Sequence, residues 1–219
     1  MWKTLRAAVV FSWAVHAALA DGNHDHGHAH PAPATPVVEE LPARIVSDGT
    51  VLHGSWLFPD ADSEVPCVIL VGGTLSQTRD GGFAGGGPAG AQRDALGRMA
   101  RQLAAAGYAT LRWDKRGHGE TDAATGATTN ETERDDVVAA ISAARAHPRI
   151  TRVIVAGESA GGYFACRAAE RGVRADGYVF LGCLASTSKR LFEYNFGRLA
   201  EWAAANDENR DWARAHALH

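Results

Sequence analysis

The sequence predicts an α/β fold in which a mostly parallel sheet carries helices on both faces, and three observations support this prediction. First, four short segments are almost continuously apolar and rich in β-branched or aromatic residues, as buried parallel strands are. Second, segments with helical spacing of apolar residues lie between them. Third, a strand hairpin comes before them in the chain. Strands that alternate with helices pair in parallel and are covered on both sides.

The leading hairpin is predicted from ARIVS and TVLHGSWLF, which Asp48 and Gly49 join. An Asp-Gly dipeptide between two strand-like segments is a strong signature of a tight β-hairpin. The four buried strands then follow in the order CVILVGG, ATLRW, RVIVAG and GYVFLGC.

The first helix is predicted between the first two buried strands, in the stretch from Gln92 to Ala106. Its apolar residues fall on one helical face: Leu96, Met99, Ala100 and Leu103. Gly107 follows directly, and glycine at this position commonly ends a helix.

The second helix is predicted to begin near Asn130, with Glu133 as the partner in a capping box. Asp135 and Asp136 lie near the positive end of its dipole, and Pro148 ends it. We expect its buried face to consist of Val137, Val138, Ile141 and Ala144.

Ser159 is the candidate nucleophile, because it lies in GESAG, a G-x-S-x-G motif between a predicted strand and a predicted helix. Gly157 and Gly161 leave room for a sharp turn that presents the serine Oγ above the sheet. The N-terminus of the helix also favours the negative charge that develops during acyl transfer. The alternative interpretation is a glycine-rich turn with an idle serine.

The loop LVGGTLSQTRDGG follows the first buried strand and is the candidate partner of that serine. Its backbone N–H at Thr74 and the N–H of Ala160 are the predicted oxyanion donors, and Leu75 is a rival to Thr74. Gly72 and Gly73 allow the backbone to approach a substrate closely. An ordinary glycine loop is the alternative.

A second polar loop, RWDKRGHGET, leaves the next strand at the same sheet edge. We interpret Asp114, Arg116, Gly117 and Gly119 as residues that build the loop, since an arginine can bind a carboxylate or backbone carbonyls. His118 is a candidate general base, although its loop belongs to a neighbouring strand.

Three ordered segments, GGTLSQTRDG, LRWDKRGHGET and VAGESAGG, resemble the exported esterase and serine-aminopeptidase-like branch of the α/β-hydrolases, over about residues 40–190. The resemblance implies a serine hydrolase that cleaves a small carboxylic ester through an acyl-enzyme at Ser159, with Thr74 and Ala160 as oxyanion donors. Peptidase or aminopeptidase activity on amides is the near alternative. The resemblance implies no metal or organic cofactor.

The rest of the family's catalytic triad is expected on loops after two further strands, in the order serine, acid, histidine. Only 36 residues follow Cys183, and they are predicted to be helical. We therefore expect a C-terminally truncated hydrolase that lacks the last strands and exposes a hydrophobic sheet edge. Asp207, Asp211, His216 and His219 are interpreted as solvated helix and tail, so a catalytically inert hydrolase-fold protein is the competing hypothesis.

The N-terminal segment predicts export. Residues 1–20 combine a basic start, an apolar run shorter than the ~20 residues of a membrane span, and the A-x-A pattern of Ala18 and Ala20, which together predict a cleaved signal peptide. The mature protein is then expected in the periplasm or outside the cell. Residues 21–36 form a His/Pro-rich linker, 37–185 the hydrolase core, and 186–219 the start of a helical cap or a tail.

Four histidines in the linker could in principle bind a divalent metal: His24, His26, His28 and His30. A solvated, disordered tether is the favoured interpretation, because nothing there enforces a closed coordination shell.

The low net charge limits the partners that the protein can bind, and the three cysteines have a structural interpretation. The net charge is only −3 and no block of five like charges occurs, which argues against nucleic acid or an anionic membrane as partner. Cys67, Cys166 and Cys183 are interpreted as small buried hydrophobic residues, with a disulfide between Cys166 and Cys183 as the alternative.

Overall fold

The computed structural model describes residues 39–60, 62–82, 93–121, 128–183, 189–190, 193–194, 196–198 and 201. By compactness the chain divides into two units, Met1–Cys183 and Leu184–His219. The secondary structure of the first unit runs in the order β1 (Glu39–Ser47), β2 (Thr50–Phe58), β3 (Val65–Val71), α1 (Ala95–Ala105), β4 (Ala109–Trp113), α2 (Asn130–Ala146), β5 (Ile150–Glu158), α3 (Ala160–Glu170) and β6 (Gly177–Leu181).

The six strands form one sheet in the order β1-β2-β4-β3-β5-β6. Strands β4, β3, β5 and β6 are mutually parallel, whereas β2 pairs antiparallel with both β1 and β4. Ser47 pairs with Thr50, and both Asp48 and Gly49 have positive φ, 46° and 75°, as a two-residue hairpin turn requires. The predicted mostly parallel sheet and its leading hairpin are therefore confirmed.

Helices cover both faces of the sheet, and β3 shows how the sequence achieves this. Its odd-numbered residues, including Ile69 and Val71, pack in one cluster with residues of α2 and α3 such as Ile141 and Phe164. The even-numbered residues Val68 and Leu70 pack in a second cluster with Ala100 and Ala104 of α1. Successive strand side chains point to opposite faces, so a strand buried on both sides must be apolar throughout.

The first helix agrees with its predicted face. Leu96 and Ala100 are buried, and Met99 and Leu103 are half-buried against the same cluster. Gly107 follows with φ of 89°, a conformation that glycine adopts without steric cost.

Helix α2 begins with a capping box, but the prediction that Glu133 closes it was wrong. Thr129 is the N-cap, and its hydroxyl accepts from the Thr132 N–H while the Thr132 hydroxyl accepts from the Thr129 N–H. Glu133 forms an ion pair elsewhere, with Lys115. A threonine at the third helical position can close the same reciprocal pair as a glutamate, which the sequence pattern did not distinguish.

The buried face of α2 also differs in detail from its prediction. Val137, Ile141 and Ala144 are fully buried, as expected, but Val138 is only partly buried. Asp136 is buried as well, because it forms an ion pair with Arg116 rather than facing solvent near the helix dipole.

The three cysteines are free thiols in different surroundings. Cys67 is buried in the core, and burial raises its pKa to about 12. Cys166 is exposed, so its interpretation as a buried residue was wrong: it lies on the outward side of α3. Cys183 is half-buried and its Sγ lies 3.0 Å from the Gly157 carbonyl oxygen.

Strand β6 is one of the two edge strands of the described sheet, and two consecutive apolar residues in it are exposed. Val179 and Phe180 are 37% and 49% exposed. In the second unit the described residues are helical, with ion pairs from Lys189 to Glu193 and from Arg198 to Glu201.

Several sequence predictions fall outside the described residues. They concern the signal peptide, the linker with His24, His26, His28 and His30, and the C-terminal residues Asp207, Asp211, His216 and His219. Within the described part of the chain, no helix is both long and apolar enough to cross a bilayer.

Candidate active site

Ser159 lies in the single-residue junction between β5, which ends at Glu158, and α3, which begins at Ala160. Its backbone has φ of 52° and ψ of −118°, a combination that a residue with a side chain adopts only at a cost of order 1–3 kcal/mol. The residue is exposed, and no other described residue forms a hydrogen bond with its Oγ. The turn thus holds the serine in a strained conformation, with its hydroxyl unbound by the rest of the described chain.

The two glycines of the motif allow close backbone packing at this turn, Gly161 against the end of β3 and Gly157 against the start of α3. A Cβ on Gly161 would lie 2.2 Å from the Val71 carbonyl oxygen, and one on Gly157 would lie 2.4 Å from the Gly162 nitrogen. Both contacts are with backbone atoms, which cannot move aside like the end of a flexible side chain. The sequence of small residues is therefore a steric requirement of the junction.

The loop after β3 lies directly beside this serine. A Cβ on Gly73 would be 2.8 Å from the Ser159 Cβ. The Gly73 N–H donates to Glu158 Oε2 at 2.8 Å, and the Ser76 hydroxyl donates to the same oxygen at 2.8 Å. Glu158, the residue before the serine, therefore ties the β3 loop to the junction.

Both predicted oxyanion donors are near this contact. Thr74 is exposed, and its N–H donates to no acceptor among the described residues. Ala160 is the first residue of α3, where a backbone N–H has no intrahelical acceptor. Leu75, the rival donor, is also exposed.

The loop after β4 is built on buried ion pairs, as Asp114 illustrates. Its carboxylate accepts from the Arg79 guanidinium at 2.6 Å and from the backbone N–H groups of Arg79 and Glu120. Burial alone would raise the pKa of Asp114, but these hydrogen bonds and the charge of Arg79 outweigh burial and lower the pKa. Gly119 has φ of 54°, and a Cβ there would lie 2.3 Å from the Asp114 carboxyl carbon.

Arg116 is the second anchor of this loop. Its guanidinium binds Asp136 at 2.7 Å, and it also donates to the Thr50 hydroxyl and to Ser47. The side chains of Arg116 and Asp136 are only 3% and 4% exposed. Arg116 therefore joins the loop, the leading hairpin and α2, in the loop-building role predicted from the sequence.

A third ion pair joins this loop to the β3 loop. Lys115 Nζ donates to Glu133 Oε1 at 2.8 Å and to the Gly73 carbonyl oxygen at 2.9 Å. It also lies 5.6 Å from the centre of the Phe164 ring. Burial raises the pKa of Glu133, although the charge of Lys115 opposes that rise.

A cavity of about 580 Å³ opens beside Thr74. Its lining is mainly polar and includes Thr74, Gln77, Lys115, His118, Glu133 and Phe164. The cavity therefore adjoins one of the predicted oxyanion donors, whereas Ser159 is not among its lining residues.

His118 lines this cavity, and it forms no hydrogen bond with Ser159 Oγ. In the sheet, β3 lies between β4, which leads to His118, and β5, which leads to the serine. Two strand spacings separate β4 from β5 by roughly 10 Å. The His118 Nδ1 is buried without a hydrogen-bond partner among the described residues. His118 as the general base stays a prediction.

Sequence reasoning missed three residues that organise this edge of the sheet: Arg79, Lys115 and Glu158. Only Glu158 carried a signal, as a charged residue directly before the candidate nucleophile. In the described part of the chain, no group of three histidine, cysteine, aspartate or glutamate side chains could hold a metal ion.

Part of the chain matches a known protein family. Residues 90–210 match the sequence profile of a family described as "Serine aminopeptidase, S33". No curated protein matches the chain.

Solved structures share the fold at low sequence identity. The hypothetical protein PA2218 from Pseudomonas aeruginosa aligns with a TM-score of 0.54 at 17% identity, covering 82% of this chain and 56% of its own. The α/β hydrolase GrgF from Penicillium sp. sh18 aligns at 0.53 and 16% identity, covering 77% and 54%. Brefeldin A esterase, a bacterial homologue of human hormone-sensitive lipase, aligns at 0.50 and 24%, covering 69% and 42%. The chain thus spans roughly half the length of these proteins.

Proposed function

The chain belongs to the serine aminopeptidase S33 family of α/β-hydrolases, and we propose that it hydrolyses carboxylic esters through an acyl-enzyme on Ser159. The observation that carries this proposal is the junction between β5 and α3, where a serine with φ of 52° presents a hydroxyl that no other described residue binds. Proteins keep strained backbone of this kind chiefly at functional sites.

In the proposed reaction, Ser159 Oγ attacks the ester carbonyl carbon and forms a tetrahedral intermediate. The intermediate's oxyanion accepts hydrogen bonds from the Thr74 and Ala160 N–H groups, and each such donor contributes about 100- to 1,000-fold in rate. The alcohol then leaves, and water hydrolyses the acyl-enzyme to release the acid. The adjoining cavity offers a polar space for one part of a small substrate.

Ser159 needs a base to accept its proton, and the described residues offer His118 for that role. Without a base, catalysis by the oxyanion donors and binding alone amounts to about 1,000- to 10,000-fold over water. Replacing His118, His216 and His219 in turn by alanine tests this assignment. Loss of turnover in one variant alone would identify the base, and undiminished turnover in His118→Ala would exclude His118.

Turnover of a short-chain nitrophenyl ester by the full chain tests the proposed function. We expect Ser159→Ala to lower kcat/KM about 1,000-fold or more, because the nucleophile is removed. Ser142→Ala is the matched control, since Ser142 is exposed on α2 and its hydroxyl donates to the Val138 carbonyl of its own helix. Equal activity of the wild type and Ser159→Ala would contradict the proposal and favour a catalytically inert protein.

Amide hydrolysis is the second candidate function, and the description of the matching family as a serine aminopeptidase favours it. The same acyl-enzyme chemistry cleaves amides. Comparing aminoacyl nitroanilides with nitrophenyl esters separates the two activities. A Ser159-dependent kcat/KM that is higher for the nitroanilides would replace the esterase proposal by the peptidase one.

We also propose that residues 1–20 direct export and are removed. The basic start, short apolar run and A-x-A pattern support this. The mass of the protein recovered from the periplasm or medium checks it, and an intact N-terminus on exported or retained protein would contradict it.

A further inference from the structure

The peptide group between Gly73 and Thr74 contains both the carbonyl that Lys115 binds and the N–H that we propose as an oxyanion donor. In a trans peptide group the C=O and the following N–H point in opposite directions. Whatever holds the Gly73 carbonyl therefore also determines where the Thr74 N–H points.

The Gly73 carbonyl is held by two donors. Lys115 Nζ approaches its oxygen to 2.9 Å, and the Ser76 N–H approaches the same oxygen to 3.1 Å. The preceding N–H, on Gly73 itself, is bound to Glu158. The residue before Thr74 thus has fixed hydrogen bonds on both sides.

The direction of this arrangement follows from the order of the strands. Lys115 follows β4, on one side of β3, and Ser159 follows β5, on the other side. A carbonyl that points toward Lys115 turns the Thr74 N–H away from the β4 loop. That is the side of the loop on which Ser159 lies, and Gly73 directly adjoins this serine.

The side chain of Lys115 is itself held in place by burial and by an ion pair. Its side chain is only 8% exposed, and Glu133 binds the same ammonium group that binds Gly73. Hydrogen bonds from charged donors are shorter and stronger than those between neutral groups. A charged donor on the carbonyl also polarises the peptide group and strengthens the N–H on its other side.

We propose that Lys115 is a positioning residue that orients and polarises the Gly73–Thr74 peptide group so that the Thr74 N–H serves as an oxyanion donor. This inference rests on the proposed function of Ser159. Lys115 does not touch the reacting atoms and acts through the backbone of the β3 loop.

The test compares the full-length wild type with Lys115→Met, which keeps much of the side chain's bulk and removes the donor. Lys189→Met is the matched control, because Lys189 is 83% exposed in an ion pair with Glu193. If Lys115→Met does not fold, the double variant Lys115→Met/Glu133→Gln avoids an unpaired buried carboxylate and takes its place.

Two readouts decide the outcome. The amide nitrogen chemical shift of Thr74 is expected to move in Lys115→Met, since the hydrogen bond to its own peptide group is lost. The kcat/KM for a nitrophenyl ester is expected to fall about 10- to 100-fold with KM little changed, less than the loss of a whole oxyanion donor. Lys189→Met should change neither quantity.

An unchanged Thr74 signal in folded Lys115→Met overturns the inference, as does a wild-type kcat/KM in that variant. A structural role alone would lower the midpoint of unfolding without lowering kcat of the folded enzyme. Absence of Ser159-dependent turnover in the wild type defeats the proposed function instead. The Thr74 signal then decides by itself whether Lys115 orients the peptide group.

Discussion

The loop after β4, which contains residues 114–116, and the junction at Ser159 lie at the same edge of the sheet. The polar groups of the loop are buried and paired, whereas the serine is exposed. In the β4 loop, Asp114, Lys115 and Arg116 are all buried and all paired with opposite charges. At the junction after β5, Ser159 is exposed on a backbone with positive φ, and its hydroxyl forms no hydrogen bond with the described part of the chain.

This difference indicates that the β4 loop mainly stabilises the fold, whereas the serine junction mainly serves activity. Satisfied buried charges stabilise one arrangement of the loops, because separating any pair leaves a buried charge without compensation. Strain at the serine costs stability but presents a nucleophile. Substitutions in the β4 loop should therefore reduce stability, whereas substitution of the serine should reduce activity and leave stability unchanged or improved.

The largest loss of stability is expected for Arg116→Met. Asp136 then stays buried without its cation, and the free energy of unfolding should fall by about 3–5 kcal/mol. Urea unfolding measures this. Arg167→Met is the matched control, because its pair with Glu170 is exposed on α3 and contributes about 0.5 kcal/mol or less. Equal losses of unfolding free energy in the two variants would contradict the special contribution of the buried ion pair.

Adding a Cβ at Gly161 is expected to have the next largest effect, and it should lower both the stability of the protein and its ester turnover. Gly161→Ala places a methyl group 2.2 Å from the Val71 carbonyl oxygen, so α3 must shift at a cost of about 1–3 kcal/mol. Ester turnover should fall with it, since Ser159 moves from the β3 loop. Gly177→Ala is the control, because a Cβ there meets only Ile154, at 3.7 Å. Normal turnover in Gly161→Ala would show that the junction tolerates displacement.

The Asp114 ion pair predicts a pH dependence of stability. Because the pKa of this carboxyl is lowered in the folded state, its contribution is complete well above the ordinary value of 3.8 and is lost as pH falls through the folded pKa. Unfolding free energies measured from neutral pH downward should therefore fall less steeply in Asp114→Asn than in the wild type. Identical acid slopes in the two proteins would contradict the pairing with Arg79.

The smallest effect concerns strain at Ser159 itself. Ser159→Gly should be more stable than Ser159→Ala by about 1 kcal/mol, since glycine adopts this backbone conformation without a Cβ penalty. Both variants should lack turnover, so the comparison isolates conformation from chemistry. Alanine at least as stable as glycine would mean that the junction carries no strain.

Local pattern predicted the parts of the molecule that depend on near neighbours in sequence. Apolar β-branched runs predicted the strands, and Asp48 and Gly49 predicted the hairpin turn, where both residues have positive φ. The spacing of glycines around Ser159 predicted a sharp junction between β5 and α3. In each case the sequence signal lies within a few residues, even where distant residues complete the packing.

Pairings between distant charges could not be predicted, because several partners were chemically equivalent. Glu133 could cap its own helix or bind a lysine, and the structure pairs it with Lys115, 18 residues earlier in the chain. Glu158 reaches Ser76 across 82 residues.

The exposure of Cys166 could not be predicted either. Cys166 looked like a core residue because its neighbours are small and apolar, but helix orientation turns it outward.

Trapping the acyl-enzyme tests the central claim most directly. The full chain is mixed with a nitrophenyl ester, quenched in acid and digested, and the peptides are examined by mass spectrometry beside Ser159→Ala. We predict that the peptide carrying Ser159 gains the mass of one acyl group in the wild type, and that the alanine variant gains none. Acylation of another residue, or equal labelling of both proteins, would contradict the assignment of Ser159 as nucleophile.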